Sequence, residues 1–270
     1  MIIGYNINKG RRWFRMKYQK ALLQLGCFTL EDAVSLTGSV PAAKSMLQYY
    51  TSHQAVMQVR RGLYAAINPL DGEPLADRYR VASKLSPTAV VSHHSAFEYH
   101  GYTNQVFYRT FVSSESKFNS FSFGGYSYVR MPSSMSLGIE VGRNGERVTD
   151  IERTLLDSVN DFERTCGFEE LIQCISLISV LNEQKLTDYL EAYRKRFLYQ
   201  KVGFILEHFR DNFDLSDCFF EMCHKNAGNS SRYLIKGTEQ GEMEFSNAWH
   251  LTYPKDLWGK ITGGDENADI

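Results

Sequence analysis

Two groups of side chains in this sequence could do chemistry. The first is polar and basic. Ser39, Lys44, Ser45 and Gln48 fall at helical spacing, and Arg60 and Arg61 stand just before Gly62. Lysine and arginine neutralise phosphates, and serine, lysine and glutamine can hydrogen-bond base edges, so this set suits nucleic acid. Arg11, Arg12 and Arg15 lie in a basic leader and are secondary candidates for phosphate contact. The second group is the run Ser92–Gly101, which holds His93, His94, Glu98 and His100. His94 and Glu98 are one helical turn apart, a spacing that can hold a cation. His93 and His100 belong to other faces, and no second ligand cluster accompanies them. The economical expectation is a short helix, capped by Ser92, packing Ala96 and Phe97 with no metal. A rival reading makes the cluster the centre of a metal-dependent nuclease. It lacks support from any glycine-rich phosphate loop, Gly-x-Ser-x-Gly or paired carboxylates, so no catalytic residue and no cofactor are assigned.

The first group needs a scaffold, and residues 18–67 supply one. Ala21, Leu22 and Leu25 form one helical face, stopped by Gly26. Thr29 with Asp32 three residues on starts a second helix, and Gly38 ends it. Ser39 caps a third helix with Pro41 in its first turn, where a missing N–H costs nothing. Met46, Leu47 and Tyr50 face inward, which leaves Lys44, Ser45, Gln48 and Tyr49 open. Residues 55–59 and 62–67 read as a hairpin tipped by Arg60-Arg61-Gly62. Three helices and a hairpin predict a winged helix-turn-helix, whose third helix enters the major groove.

Charge supports the assignment. Residues 1–70 carry nine Lys/Arg and two acids, a net of +7, whereas the remainder nets −8 within a chain of formal charge −1. A basic head on an acidic body is the footprint of a nucleic-acid-binding module.

Asn68–Pro74 is turn-rich and marks the boundary, so the expected domains are 1–70, 77–262 and an acidic tail at 263–270. Residues 88–150 alternate β-rich runs with Gly124-Gly125 and Gly142–Gly145 turns, predicting a mostly antiparallel sheet. Asp150 caps a helix in which Arg153 and Asp157 are expected to pair on the surface. The last hundred residues are mostly helical, with Gly203 expected to interrupt one helix. The fold class is therefore α+β: a winged helix-turn-helix, then a larger α+β domain with a helical C-terminal part. No apolar run approaches the ~20 residues of a membrane helix. The N-terminus lacks a signal-peptide layout, so a cytoplasmic protein without membrane partners is expected. Five scattered cysteines suggest neither disulfides nor a zinc knuckle.

The order of strings resembles a known family. Arg61-Gly62-Leu63-Tyr64 is followed by Ser95-Ala96-Phe97-Glu98-Tyr99-His100-Gly101, then Glu152-Arg153-Thr154-Leu155-Leu156-Asp157, then Val202-Gly203-Phe204-Ile205-Leu206-Glu207. This resembles the AbiEi-family antitoxins, transcriptional regulators of bacterial type IV toxin–antitoxin and abortive-infection systems. The resemblance implies an N-terminal domain that binds inverted repeats in double-stranded DNA at its own promoter. It implies a C-terminal domain that counters an AbiEii-type nucleotidyltransferase toxin without a stable complex. A plain transcription factor with a sensing or dimerising body is the third reading.

Overall fold

The computed structural model describes residues 16–237 and 241–259. The secondary candidates Arg11, Arg12 and Arg15 and the acidic tail lie outside these residues. The chain is α+β and forms two compact units, both discontinuous in sequence. The first takes residues 1–90, 108–132 and 141–147, and the second takes 91–107, 133–140 and 148–270. The turn-rich segment 68–74 lies inside the first unit. Among the described residues, no helix is long and apolar enough to cross a membrane.

The first unit begins with α1 (Gln19–Leu25), β1 (Cys27–Thr29), α2 (Leu30–Thr37), α3 (Val40–Ser52), β2 (Val56–Arg60) and β3 (Leu63–Ala66). The three strands form an antiparallel sheet in the order β1-β3-β2. Three helices and a three-stranded sheet thus follow one another over Gln19–Ala66. Local chemistry accounts for each boundary. Thr29 and Asp32 make a full capping box, and Gly38 closes α2 in the left-handed region at φ 85°. Ser39 Oγ accepts from the Ala42 amide, and Pro41 fills the first turn of α3. Leu22, Phe28, Ala33, Ala43, Met46, Leu47, Tyr50 and Val56 make one small core. Sequence pattern does not predict the short strand β1, because the Thr29 cap masks it.

The same unit continues with α4 (Arg78–Ser83), capped by Asp77. Arg80 reaches back and donates to the Leu25 carbonyl at 2.6 Å, neutralising the negative end of α1. Then come β4 (Arg109–Ser114), β5 (Phe121–Phe123) and β6 (Tyr126–Pro132). β5 and β6 form the expected antiparallel hairpin, while β4 lies parallel to β6.

The second unit is helical around one large apolar cluster. It holds α5 (His94–His100), α6 (Ile151–Asp161), α7 (Phe168–Ser176), α8 (Glu183–Tyr193), α9 (Arg196–His208), α10 (Arg210–Phe213) and α11 (Asp217–Asn226). Val91 pairs in parallel with Val148, and a small sheet of three strands covers Arg232–Tyr233, Met243–Ser246 and Leu251–Pro254.

Three expectations need correction here. Arg153 and Asp157 do not pair on the surface: Arg153 is 1% exposed and its Nε donates to Asp157 Oδ2 at 2.9 Å. The guanidinium is fixed further by the Leu137 carbonyl at 2.8 Å and Ser133 Oγ at 3.1 Å. Gly203 does not break its helix. The interruption falls at Arg194, which takes a left-handed conformation at φ 52°, and α9 runs through Gly203 unbroken. Nor does Ser92 cap α5, because the cap position is His93, at φ 55° with no capping side-chain bond.

Gly203 is there because its neighbour is Trp249. A Cβ at this position would fall inside the van der Waals envelope of the indole ring. That ring is locked by stacking on His224 at 3.7 Å and by donating Nε1–H to Glu207 Oε2 at 2.6 Å. Glycine in a helix interior costs about 1 kcal/mol relative to alanine. Overpacking costs about 1–3 kcal/mol and should prevail here. Gly203→Ala is therefore expected to lower the urea midpoint, against its helix propensity; a raised midpoint would show that Trp249 can move aside.

Lys201 provides a pH test. It is 5% exposed, and its Nζ sits 4.5 Å over the Phe162 ring. Burial pushes its pKa from the ordinary 10.5 down to about 8. The folded chain thus loses this proton first, and between these values the unfolded chain binds more protons. Stability from this group should rise as pH climbs from 8 toward 10.5, its cost being full below 8. Lys201→Met should remove that rise. The check is the difference between the variant's and the wild type's urea midpoints across that range, which cancels the titration of shared tyrosines.

Candidate nucleic-acid interface

α3 presents the face that the sequence assigns to recognition. Ala43, Met46, Leu47 and Tyr50 are buried, which turns Lys44, Ser45, Gln48 and Tyr49 to solvent. Ser39 is exposed at the helix start, where its oxygen is already engaged in capping. The Tyr49 ring is 52% exposed and packs against His53 at 4.1 Å, with His53 Nδ1 2.7 Å from the Tyr49 carbonyl. The outer face of α3 is therefore a row of hydrogen-bonding groups held on a stiff, well-capped helix.

The two hairpin arginines have different surroundings. The turn of the hairpin is Arg61-Gly62, with Gly62 at φ 82° and a register shift between Gln58 and Arg60. Arg61 is exposed at that turn. Arg60 is instead half-buried: its guanidinium lies 5.7 Å from the Phe118 centroid and 5.3 Å from the Phe121 centroid. One of its terminal nitrogens is shielded from water without a hydrogen-bond partner. Arg60 fastens β2 to the aromatic residues near β5, and Arg61 is the hairpin's outward cation. The Phe118 and Phe121 contacts are 58 and 61 residues away in sequence, so no local signal could separate the two arginines.

Charge sharpens when it is divided along the compact units. The first unit holds 17 Lys/Arg and seven Asp/Glu, a net of +10, and the second holds 13 and 24, a net of −11. The additional basic residues lie in 78–84 and in the two returning segments.

The histidine run divides among separate partners. His93 Nδ1 is 2.8 Å from Ser92 Oγ, and its Nε2 is 3.8 Å from Asp161 Oδ2. His100 Nε2 is 2.7 Å from the Thr149 carbonyl. These two serve the packing of α5 on α6. His94 is fully buried and stacks on Phe107 at 3.9 Å. Its Nδ1 lies 3.3 Å from Glu98 Oε1, out of hydrogen-bonding geometry. Its Nε2 lies 2.9 Å from Glu170 Oε1. The same oxygen accepts from Thr103 Oγ1 at 2.7 Å and from the Cys174 thiol at 3.4 Å. Burial and the adjacent Glu170 drive the Cys174 thiol well above its ordinary pKa. Sequence reasoning misses Glu170 and Cys174, although their i, i+4 spacing places them on one helical face. A His94–Glu170–Cys174 group could hold a metal ion, with ligand atoms all within 4.8 Å of one another.

No protein-family profile matches the chain, and no curated protein matches it. Among solved structures, the RV2827C protein from Mycobacterium tuberculosis is similar in fold. It matches at TM-score 0.58 and 14% identity, over 88% of this chain and 92% of its own.

The division of labour between the two arginines is testable by stability alone. Arg60→Ala should lower unfolding stability by about 0.5–2 kcal/mol through loss of the partly desolvated cation–π contacts. Arg61→Ala should stay within about 0.5 kcal/mol of wild type, as expected of a surface change. Equal midpoints in urea denaturation for the two variants would contradict the assignment.

Proposed function

We propose that this protein is a DNA-binding transcriptional autorepressor and the antitoxin of a type IV toxin–antitoxin, abortive-infection system. The observation that carries the reading is the exposed Lys44, Ser45 and Gln48 row on the third helix of a winged-helix element order, within a unit of net charge +10. The third helix would lie in the major groove, with Gln48, Ser45 and Lys44 toward base edges and phosphates. Arg61 on the wing would contact phosphate or the adjacent minor groove. Ser39, at the positive end of α3, would contribute to a phosphate contact. Inverted repeats in its own promoter would bind two copies. The resemblance to the AbiEi-family strings supports the second half of the proposal: the acidic unit counters an AbiEii-type nucleotidyltransferase toxin without a stable complex. The protein would act in the cytoplasm and by binding, not by catalysis.

Those family strings occupy scaffold positions. Ala96, Phe97, Leu155 and Leu156 are fully buried, and Glu152, Arg153 and Asp157 belong to internal hydrogen-bond networks. They hold the architecture together and leave the DNA contacts to the outer face of α3.

The test is a gel shift on the gene's own upstream region across a salt series with competitor DNA. Stepwise, salt-sensitive retardation is expected. Lys44→Ala and Arg61→Ala should each reduce the salt slope by about one. Gln48→Ala should instead lower discrimination against competitor, by about 1–3 kcal/mol if it reads a base bidentately. Absence of any shift at low salt would remove the repressor reading. Deletion of the gene tolerated alike with and without its neighbouring toxin gene would remove the antitoxin reading.

A further inference from the structure

The convergence on Glu170 Oε1 is lopsided for a hydrogen-bonded carboxylate. Three groups crowd one oxygen: His94 Nε2 at 2.9 Å, Thr103 Oγ1 at 2.7 Å and Cys174 Sγ at 3.4 Å. The other oxygen, Oε2, is shielded from water and has no partner. His94 Nδ1 is likewise buried without a hydrogen bond. Buried polar atoms left in this state are destabilising unless a ligand or a shifted partner satisfies them. The three side chains are buried, with His94 and Cys174 fully so.

We propose that His94 Nε2, Glu170 and Cys174 Sγ form a zinc site in the second unit, with Thr103 Oγ1 bordering the fourth position. Imidazole, thiolate and carboxylate are the ligand types of protein zinc, at roughly 2.0–2.3 Å from the ion. Ligand atoms around a tetrahedral zinc therefore stand roughly 3.3–3.7 Å apart. The two separations from Glu170 Oε1, 2.9 Å and 3.4 Å, are near these values, and all the ligand atoms lie within 4.8 Å of one another, so side-chain adjustment would close them on an ion. The chemistry around the cluster also fits. Glu98 Oε1 lies 3.3 Å from His94 Nδ1, outside hydrogen-bonding geometry, and a small turn would let it orient a metal-bound imidazole from behind. The same Glu98 oxygen is held by the Phe107 amide at 2.7 Å, and Phe107 stacks on the His94 ring. Zinc with a thiolate ligand distinguishes this site from a calcium or magnesium cage, which would be built of oxygens alone. The ion would bolt α5 to α7 and fix the intervening segment 101–107. Its role is structural, independent of the DNA-binding face.

The experiment uses the full chain purified from zinc-supplemented cells. Metal content after gel filtration should be close to equimolar zinc. Exchange for cobalt(II) should give a near-ultraviolet thiolate-to-cobalt charge-transfer band. Cys174→Ser and His94→Gln should lose both the stoichiometric metal and the band, whereas Cys27→Ser, in the first unit, should keep both. Cys174→Asp is the second variant, retaining a ligand without sulfur: it should keep metal and lose only the band. Wild-type protein that retains no zinc and shows no cobalt band overturns the site. So does a band that survives Cys174→Ser, since the metal would then be held by another cysteine.

Discussion

A guanidinium taken out of water must be surrounded by acceptors, and the second unit is arranged around one. Arg153 is 1% exposed, and breaking a buried pair of this kind costs about 3–5 kcal/mol. The surrounding structure meets its demands from three directions. Asp157 holds Nε from the next turn, and the segment 133–140 delivers the Leu137 carbonyl and Ser133 hydroxyl to the other two nitrogens. Tyr193 then donates to Asp157 and lays its ring beside the guanidinium. A second polar knot lies one turn earlier. Asp150 caps α6 while accepting from Tyr189 at 2.8 Å and Lys185 at 3.0 Å, and Glu152 accepts from the Asn182 amide at 2.8 Å. The segment 133–140 can pass this close only because Gly138 lacks a side chain: a Cβ there would meet Arg153, Asp150 and Tyr189. These bonds place α8 against α6 and so set the apolar cluster that contains Leu155, Leu156, Leu186 and Leu190. Burial of so many polar groups narrows the ways these helices can pack, because any slip leaves a charge unmatched.

The two units solve opposite electrostatic problems. The first gathers 17 bases around a small core and tolerates their self-repulsion. The second accumulates acids and commits a share of them internally, as caps and as partners of Arg153, Lys185 and His94. The near-zero sum conceals both.

Much of the first unit was legible because its signals are local. Thr29 with Asp32, Gly38, and Ser39 with Pro41 each act within four residues, and the structure uses them all as caps or turns. The open face of α3 follows from helical periodicity. The illegible features share one physical origin, distance along the chain. Arg153–Asp157 has the spacing of a surface pair, and only the return of 133–140 reveals that it is interior. Arg60 and Arg61 are adjacent and chemically identical, and Phe118 and Phe121 decide which one is free to face outward. Gly203 has the look of a helix breaker, whereas Trp249, 46 residues on, makes it a packing notch. His94 shows half of its environment through Glu98; Glu170 and Cys174 arrive from a helix more than seventy residues away.

The chain crosses between its two units five times, at residues 90, 107, 132, 140 and 147. No single cut yields either unit whole. A fragment ending near residue 70 keeps the three helices and the hairpin but discards Arg80, which closes α1, and the Phe118 and Phe121 rings beneath Arg60. A fragment beginning there strands β4, β5 and β6 without the rest of their own unit. During synthesis, the first unit lacks its last pieces until residue 147 has left the ribosome, by which time α5 of the second has already emerged. Truncation, the customary way to assign separate roles to two halves of a chain, would here report on damaged packing, and point substitutions on intact protein are the cleaner instrument.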